Sequence, residues 1–224
     1  ASGAGAGSRG GSAACSEKKS SRREQPKSLG AIIYGELVHA HREVFLSGEI
    51  NEASAKEIIA QLLYLERSEP GQPITLLINS SGGKVASGMA IYDMMQDIQS
   101  PVRTVCLGRC SSMAAVLLAA GEPGRRHAAP HCRVMIHQPR VSLSGKRNSQ
   151  DVGIQHKQIE ASRQTLHQVL VERTGQPLEK IAHLLEADYY MSAEEALELG
   201  VVDHVGGLSA PAASAQGPAD GTRA

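Results

Sequence analysis

A serine, a histidine and an aspartate lie next to apolar segments in the second half of the chain. Ser112 opens the apolar run SMAAVLLAA, His137 ends RVMIH, and Asp188 follows LLEA just ahead of Tyr189. A serine hydroxyl is a weak nucleophile until a base removes its proton, and a neutral imidazole suits that task near neutral pH. The base in turn needs a carboxylate that orients it. These residue types predict nucleophilic catalysis, although the sequence alone does not show that the three side chains meet.

Two further segments could donate N–H groups to a developing negative charge. Gly82 and Gly83 end the segment ITLLINSSGG, and Met113 follows Ser112 at a predicted helix start. Glycine lets the backbone expose successive N–H groups, and the first N–H groups of a helix have no acceptor within it. Each residue also has a simpler interpretation. Gly82 and Gly83 could form a tight turn, Ser112 could be a helix N-cap, and His137 could be a core histidine.

The elements that must position these residues alternate between strands and helices. Short apolar runs bounded by Gly, Pro or Ser predict strands at residues 43–48, 74–79, 102–107, 133–137 and 201–205, with a turn at Gly108. Helices are predicted after Asn51, at about 84–98, 112–120 and 151–173, after Pro177, and after Ser192, which forms a capping box with Glu195. The alternation predicts an α/β fold with a mainly parallel sheet that is covered on both faces.

Composition excludes several classes of protein. The 224 residues include 23 Lys and Arg against 23 Asp and Glu, no Trp, one Phe and five Tyr. Zero net charge and few aromatic rings argue against a nucleic-acid partner. No run approaches the roughly 18 to 20 apolar residues of a membrane span, so no membrane partner is expected. The four Cys lack CxxC spacing and the nine His form no HExxH motif, which predicts a reducing compartment and no metal site.

The charges are unevenly distributed along the chain. The first thirty residues hold six basic and two acidic side chains, while residues 31–204 hold 16 Lys and Arg against 20 Asp and Glu, a net charge of −4. We predict a disordered basic tail at 1–30, a folded domain at 31–206 and a disordered Ala/Gly/Pro-rich tail at 207–224. A basic, acid-poor N-terminus is typical of transit peptides. The expected location is the chloroplast or plastid stroma, with the cytoplasm and the mitochondrial matrix as alternatives.

Several motifs together resemble those of the ClpP-type subunits of the Clp (caseinolytic) serine proteases, over roughly residues 34–206. INSSGG resembles the oxyanion segment of that family, GRCSSMAAVLLAAG its nucleophile motif, RVMIHQP its histidine motif, and TGQPLEKI with DYYMSAEEALELGVVD its C-terminal signature. The resemblance implies that Ser112 is the nucleophile, His137 the general base and Asp188 its orienting carboxylate. It also implies that the N–H groups of Gly83 and Met113 form the oxyanion hole.

The same resemblance implies an architecture and a set of partners. The expected fold is crotonase-like, with repeated ββα-type units and a protruding handle made of a strand and a long helix. Two stacked heptameric rings of this chain, alone or with homologous subunits, would enclose a chamber. A hexameric AAA+ Clp ATPase would unfold polypeptides and feed them in. The chain has no Walker A motif, so ATP would be used by that partner, and no cofactor is expected here.

The resemblance therefore predicts a serine endopeptidase that cuts unfolded polypeptides into short peptides. The alternative is a mainly structural subunit of a mixed Clp core. A third interpretation, an enoyl-CoA hydratase-like enzyme, shares the fold but leaves the Ser, His and Asp set unexplained.

The sequence departs from the family pattern near the predicted site. Cys110 and Ser111 precede the nucleophile where the family usually has two alanines, and Ser81 stands where proline is common. The segment 140–144 reads RVSLS where a Gly-Gly pair is expected, and Ala187 stands where an arginine usually precedes the aspartate. The segment RVSLS lies in the expected handle, so it affects the pairing of extended substrate and the docking of the rings. Ala187 affects the family's link between ring assembly and alignment of the triad.

Overall fold

The computed structural model describes residue 3 and the stretches 29–140 and 149–206. These residues form an α/β fold in which seven strands make one sheet and seven helices pack against it, so the predicted fold class is confirmed. The predicted handle segment, 140–150, lies mostly outside the described residues, since 141–148 are not among them. Both predicted tails, apart from residues 3, 29 and 30, lie outside them as well.

Most elements lie where the sequence predicts them. The helices are α1 (Leu29–His41), α2 (Glu52–Ser68), α3 (Val85–Asp97), α4 (Met113–Ala119), α5 (Ser149–Thr174), α6 (Leu178–Leu184) and α7 (Ala193–Leu199). The strands are β1 (Glu43–Ile50), β2 (Ile74–Gly83), β3 (Val102–Ser111), β4 (Arg126–Ala128), β5 (Arg133–Ile136), β6 (Tyr189–Met191) and β7 (His204–Val205). Helix α1 and strands β4 and β6 are not predicted, because the two strands have three residues each and show no periodicity.

Two strand ends correct the sequence prediction. Strand β2 continues through Gly82 and Gly83, which pair with Glu49 and Ile50 of β1, so these glycines do not form a simple tight turn. Strand β3 likewise continues past the turn predicted at Gly108. Glycine takes the positive φ that bends each strand while the ladder goes on, with a φ of 85° at Gly82 and 75° at Gly108.

The sheet is parallel except for one pair of strands. Its main order is β1-β2-β3-β4-β7, and β5 pairs in parallel with β3 and antiparallel with β6. The middle strands are covered on both faces, as predicted, because consecutive residues such as Leu76, Leu77 and Ile78 are all buried. Besides β2, strand β3 has two further partners: residues 104–106 pair with β4, and residues 109–111 pair with β5. The second pairing directs the chain toward the candidate site.

A buried ion pair ties the end of the folded domain to the sheet. The Arg126 guanidinium contacts both carboxylate oxygens of Asp203, at 2.9 and 2.6 Å, and donates to the carbonyl oxygens of Arg173 at 2.7 Å and Gly200 at 2.9 Å. Burial alone raises the pKa of Asp203, but the hydrogen bonds and charge of Arg126 offset this and hold that pKa below its usual value. Arg126 thus joins β4 to the ends of α5 and α7 and to β7.

We predict that Arg126→Met lowers the free energy of unfolding by about 3 to 5 kcal/mol, because the Asp203 carboxylate then stays buried without its cation. Urea unfolding at pH 7 and fixed protein concentration measures the change. The control is Lys84→Met, which removes the ion pair with Glu52 whose side chains are 59% and 85% exposed, and which we expect to change stability far less because water screens it. Equal effects of the two substitutions would contradict a bracing role for Arg126.

Candidate active site

Parallel pairing of β3 with β5 brings the predicted nucleophile to the predicted base. Ser111 pairs with Met135, and the Ser112 N–H donates to the Met135 carbonyl at 2.7 Å. Ser112 and His137 therefore leave the carboxyl ends of two neighbouring parallel strands, which is where α/β proteins place functional groups. Their side chains meet, with Ser112 Oγ 2.9 Å from His137 Nε2.

Antiparallel pairing of β5 with β6 places the predicted carboxylate on the other side of the imidazole. Ile136 pairs with Tyr189, so the next residues outward, His137 and Asp188, are neighbours across the ladder. Asp188 Oδ1 lies 3.2 Å from His137 Nδ1. The structure thus brings together the serine, histidine and aspartate that the sequence analysis selected.

The contact between His137 and Asp188 is close but lacks hydrogen-bond alignment. His137 Nδ1 is buried and has no hydrogen-bond partner among the described residues. The same carboxylate oxygen, Asp188 Oδ1, lies 2.5 Å from Nη2 of Arg140. Position 140 stands out in the sequence only as part of a departure from the family pattern, because a contact across 48 residues leaves no local signal.

Ser112 has an unusual backbone conformation at the start of α4. Its φ is 56° and its ψ is −125°, and its side chain makes no capping hydrogen bond. Ser112 thus occupies the N-cap position of α4, as the simpler interpretation has it, but its hydroxyl does not cap the helix and is directed to His137 instead. A non-glycine residue held at positive φ costs about 1 to 3 kcal/mol, and such strain is concentrated at functional sites. The turn from β3 into α4 holds the hydroxyl toward the imidazole.

The two glycines that end β2 allow the chain to lie directly against this turn. A Cβ on Gly82 would lie 2.5 Å from the Ser111 carbonyl oxygen, 2.8 Å from Ser112 Cβ and 3.1 Å from the Met113 nitrogen. A Cβ on Gly83 would lie 2.1 Å from the carbonyl oxygen of Ile50. Both glycines are required by close backbone approach, and they place the end of β2 beside Ser112 and Met113.

A buried serine that the sequence analysis missed supports this arrangement. The Ser80 hydroxyl donates to the carbonyl oxygen of Gly48 and accepts from the N–H of Gly82 at 3.0 Å. Ser80 is 1% exposed, so its two hydrogen bonds satisfy a hydroxyl that would otherwise be costly to bury. Ser81, which stands where the family usually has proline, is exposed.

The surroundings of His137 keep its imidazole neutral at pH 7. Burial and the positive charge of Arg140 lower the pKa of His137, and the carboxylate of Asp188 raises it only in part, so the net pKa lies below its usual value. Its side chain is 14% exposed. A neutral imidazole beside a serine hydroxyl can accept the hydroxyl proton, which is the property a general base needs.

The nearby cysteines do not offer a competing nucleophile. Cys106, Cys110 and Cys132 are free and buried. Contact with Cys110 together with burial raises the pKa of Cys106, and contact with Cys106 together with burial raises the pKa of Cys132. Thiols with raised pKa values are poor nucleophiles because the thiolate is the reactive form.

In the described part of the chain, no three or more His, Cys, Asp or Glu side chains are grouped so that they could hold a metal ion. Nor does any helix of the described ranges have the length and apolar character needed to cross a bilayer.

The chain is similar to a known protein family. The model of the family described as Clp protease matches residues 27–208. That stretch contains all the strands and helices described above, and it covers most of the chain.

We predict that Gly82→Ala lowers kcat/KM for peptide hydrolysis by about 10²-fold or more, because the added Cβ displaces Ser111 and Ser112, and small misplacements at a reacting centre have effects of this size. Steady-state kinetics with a fluorogenic peptide measure the loss. The matched control is Gly71→Ala, because Gly71 has a similar φ of 78° but no atom within 4 Å of the added Cβ. It should lose stability without losing activity, and equal losses of activity in both variants would contradict the close-approach argument.

Proposed function

Because this chain belongs to the Clp protease family, we propose that it is a proteolytic subunit that acts as a serine endopeptidase on unfolded polypeptides. The family implies a peptidase. One observation carries the serine mechanism, namely the 2.9 Å contact between Ser112 Oγ and His137 Nε2, with Asp188 beside the other ring nitrogen. This is the arrangement of a nucleophile, a general base and an orienting carboxylate.

The proposed reaction proceeds in two stages. In the first, His137 Nε2 takes the proton from Ser112 Oγ as the oxygen attacks the carbonyl carbon of the peptide bond. The protonated imidazole then gives this proton to the leaving amine, which leaves an ester on Ser112. In the second, His137 takes a proton from water as the water oxygen attacks the ester carbon. The bond from that carbon to Ser112 Oγ then breaks, Oγ takes the proton back from His137, and the new carboxyl end of the peptide is released. Asp188 stabilises the imidazolium in both stages.

The proposed oxyanion hole consists of the N–H groups of Gly83 and Met113. Its support is the packing of the Gly82–Gly83 segment against the turn at Ser112, described above. Met113 is the first residue of α4, so its N–H has no acceptor within the helix. Two backbone donors beside the nucleophile would stabilise the negative charge that develops on the carbonyl oxygen.

The cleft beside the nucleophile is small and mostly apolar. Apart from Ser112 and His137, its lining is entirely apolar, and consists of Val85, Met113, Val116, Ile136, Pro139, Leu166, Leu170 and Leu185. Unfolded polypeptides present such side chains, whereas folded ones bury them. We propose that an apolar residue next to the scissile bond packs against this lining.

Assembly and partners follow from the family and are proposals for this chain. Large apolar side chains stand exposed on α1 and on the first half of α5, including Ile32 and Ile33 at 54% and 51% and Ile154 at 61%. Exposed apolar groups of this size are typical of interaction surfaces. We propose that they are covered in two heptameric rings, with a AAA+ Clp ATPase hexamer as the partner that uses ATP. A plastid location is proposed from the basic N-terminal sequence alone.

A second candidate function is a mainly structural subunit in a mixed ring of homologous chains. Its support is the missing hydrogen bond at His137 Nδ1, the contact between Arg140 and Asp188, and Ala187 in place of the usual arginine. A triad whose carboxylate is not aligned with the histidine would be less active.

We expect a fluorophosphonate probe to label Ser112, because the probe reacts with a serine hydroxyl only where a base activates it. Ser112→Ala should abolish labelling and lower peptide hydrolysis by at least about 10³-fold. Ser111→Ala is the matched control, since it removes the neighbouring hydroxyl, and it should retain labelling. Mass spectrometry of the labelled peptide identifies the residue. Absence of labelling, or labelling that survives Ser112→Ala, would overturn the serine mechanism.

Expression of the chain alone separates the two candidate functions. If it is an active peptidase in its own right, size-exclusion chromatography with light scattering should show a stable double ring, and that fraction should cleave a fluorogenic peptide. A monomer or single ring without activity, which becomes active only with homologous subunits, would favour the structural role.

A further inference from the structure

The Asp188 carboxylate is contacted by two cationic or potentially cationic groups at the same oxygen. Asp188 Oδ1 lies 2.5 Å from Arg140 Nη2, in a hydrogen bond, and 3.2 Å from His137 Nδ1, without one. His137 Nδ1 is buried and has no other partner among the described residues. A buried ring nitrogen without a partner is unusual, because most buried polar groups are hydrogen-bonded. The arginine and the imidazole therefore share one carboxylate oxygen.

The chain path places Arg140 at this carboxylate. After β5 the backbone passes through His137 and Gln138, whose N–H donates to the carbonyl oxygen of Leu185 at 3.1 Å. Pro139 follows and restricts the backbone, so that Arg140 lies on the Asp188 side of the site. The side chains of Arg140 and Asp188 are 68% and 33% exposed. Because an exposed ion pair contributes only about 0 to 1 kcal/mol, this contact can break readily.

We propose that Arg140 is a positioning residue of the active site, which holds the Asp188 oxygen that faces His137 and so controls whether the carboxylate aligns with the imidazole. The inference rests on the proposed roles of Ser112, His137 and Asp188. It adds a fourth side chain, which the sequence analysis did not select.

The electrostatics of His137 give the proposal a measurable consequence. Burial and Arg140 lower the pKa of His137, and Asp188 raises it. Arg140 and Asp188 are the two charged groups that act on His137 among the described residues. The other elements packed around the imidazole contribute uncharged side chains, which are Val85 of α3, Ser112 with Met113 and Val116 of α4, Leu166 and Leu170 of α5, and Leu185. Removal of Arg140 takes away a repelling positive charge and frees Asp188. Both changes raise the pKa of His137.

The sign of the effect on activity follows from the role of the base. His137 accepts a proton only when it is neutral, so activity falls as the pH drops through its pKa. We call this fall in activity at low pH the acid limb of the pH profile. In the wild-type protein its midpoint should lie below the ordinary histidine pKa of about 6.5. In Arg140→Gln the acid limb should move to higher pH. A merely structural role for Arg140 would change the size of the activity but would not move the limb.

The test compares full-length wild-type, Arg140→Gln and Arg140→Lys proteins between pH 5 and 9. The rate of fluorophosphonate labelling at Ser112 and kcat/KM for a fluorogenic peptide are both measured. We expect the acid limb of Arg140→Gln to lie about 0.5 unit or more above the wild-type limb, and that of Arg140→Lys to stay closer to the wild-type limb because the positive charge is kept. Arg67→Gln, at an exposed arginine of α2, is the matched control and should not move it.

A salt series on the same proteins gives a second readout, and its wild-type part does not depend on the substitution being tolerated. Added salt screens an exposed ion pair, so the wild-type limb should move upward with ionic strength, while the Arg140→Gln limb responds less. Acid limbs of wild type and Arg140→Gln that coincide within about 0.1 unit, or equal salt responses, would overturn the proposal. The proposed function would fail differently, through the absence of Ser112-dependent labelling in the wild-type protein.

Discussion

The candidate site depends on the two ladders made by the short strand β5. This strand has four residues, Arg133–Ile136, and pairs in parallel with β3 and antiparallel with β6. The first ladder fixes Ser112 next to His137, and the second fixes Asp188. A slip of one residue in either ladder would move a partner by about 3.3 Å along the strand and direct its side chain to the opposite face. Ser112 and Asp188 are 25 and 51 positions from His137 in the chain. Backbone hydrogen bonds alone bring them next to it, without any attraction between the side chains.

The strained turn at Ser112 is maintained by what surrounds it. On one side the Ser112 N–H is bonded to Met135, and on the other Gly82 lies too close to leave room for a side chain. Helix α4 follows immediately, and all seven of its residues are buried. Burial of a large aliphatic side chain contributes about 1.5 to 3 kcal/mol, so the apolar character of Val116, Leu117 and Leu118 more than offsets a local strain of about 1 to 3 kcal/mol. The small number of aromatic residues fits this packing, because α4 is built only from Ala, Leu, Val and Met side chains.

The parts of the fold that the sequence predicts are those whose burial is continuous. Strands β2 and β3 read as apolar runs because both faces are covered, but their ends were misplaced, since glycines at 82, 83 and 108 bend the ladder without ending it. Strand β6 is the opposite case. Tyr189 and Tyr190 are exposed, so no apolar pattern marks the strand that positions Asp188. The choice between an N-cap and a nucleophile at Ser112 depends on His137 being across a ladder, and no local pattern contains that information. The likeness of several motifs to one family, rather than periodicity, selected the three residues together.

The site therefore combines a rigid part and an adjustable part. The contact between Ser112 and His137 is set by ladders whose register cannot shift without loss of the core, whereas Asp188 is one-third exposed and faces two donors. The preference of its carboxylate for Arg140 or for His137 rests on small energies, because an exposed ion pair contributes about 0 to 1 kcal/mol. A change of about 1.4 kcal/mol in that balance alters the ratio of the two states tenfold. It follows that charges near residues 140 and 188 can adjust the strength of the base while the nucleophile stays in place. A substitution in the ladders would instead remove the site altogether.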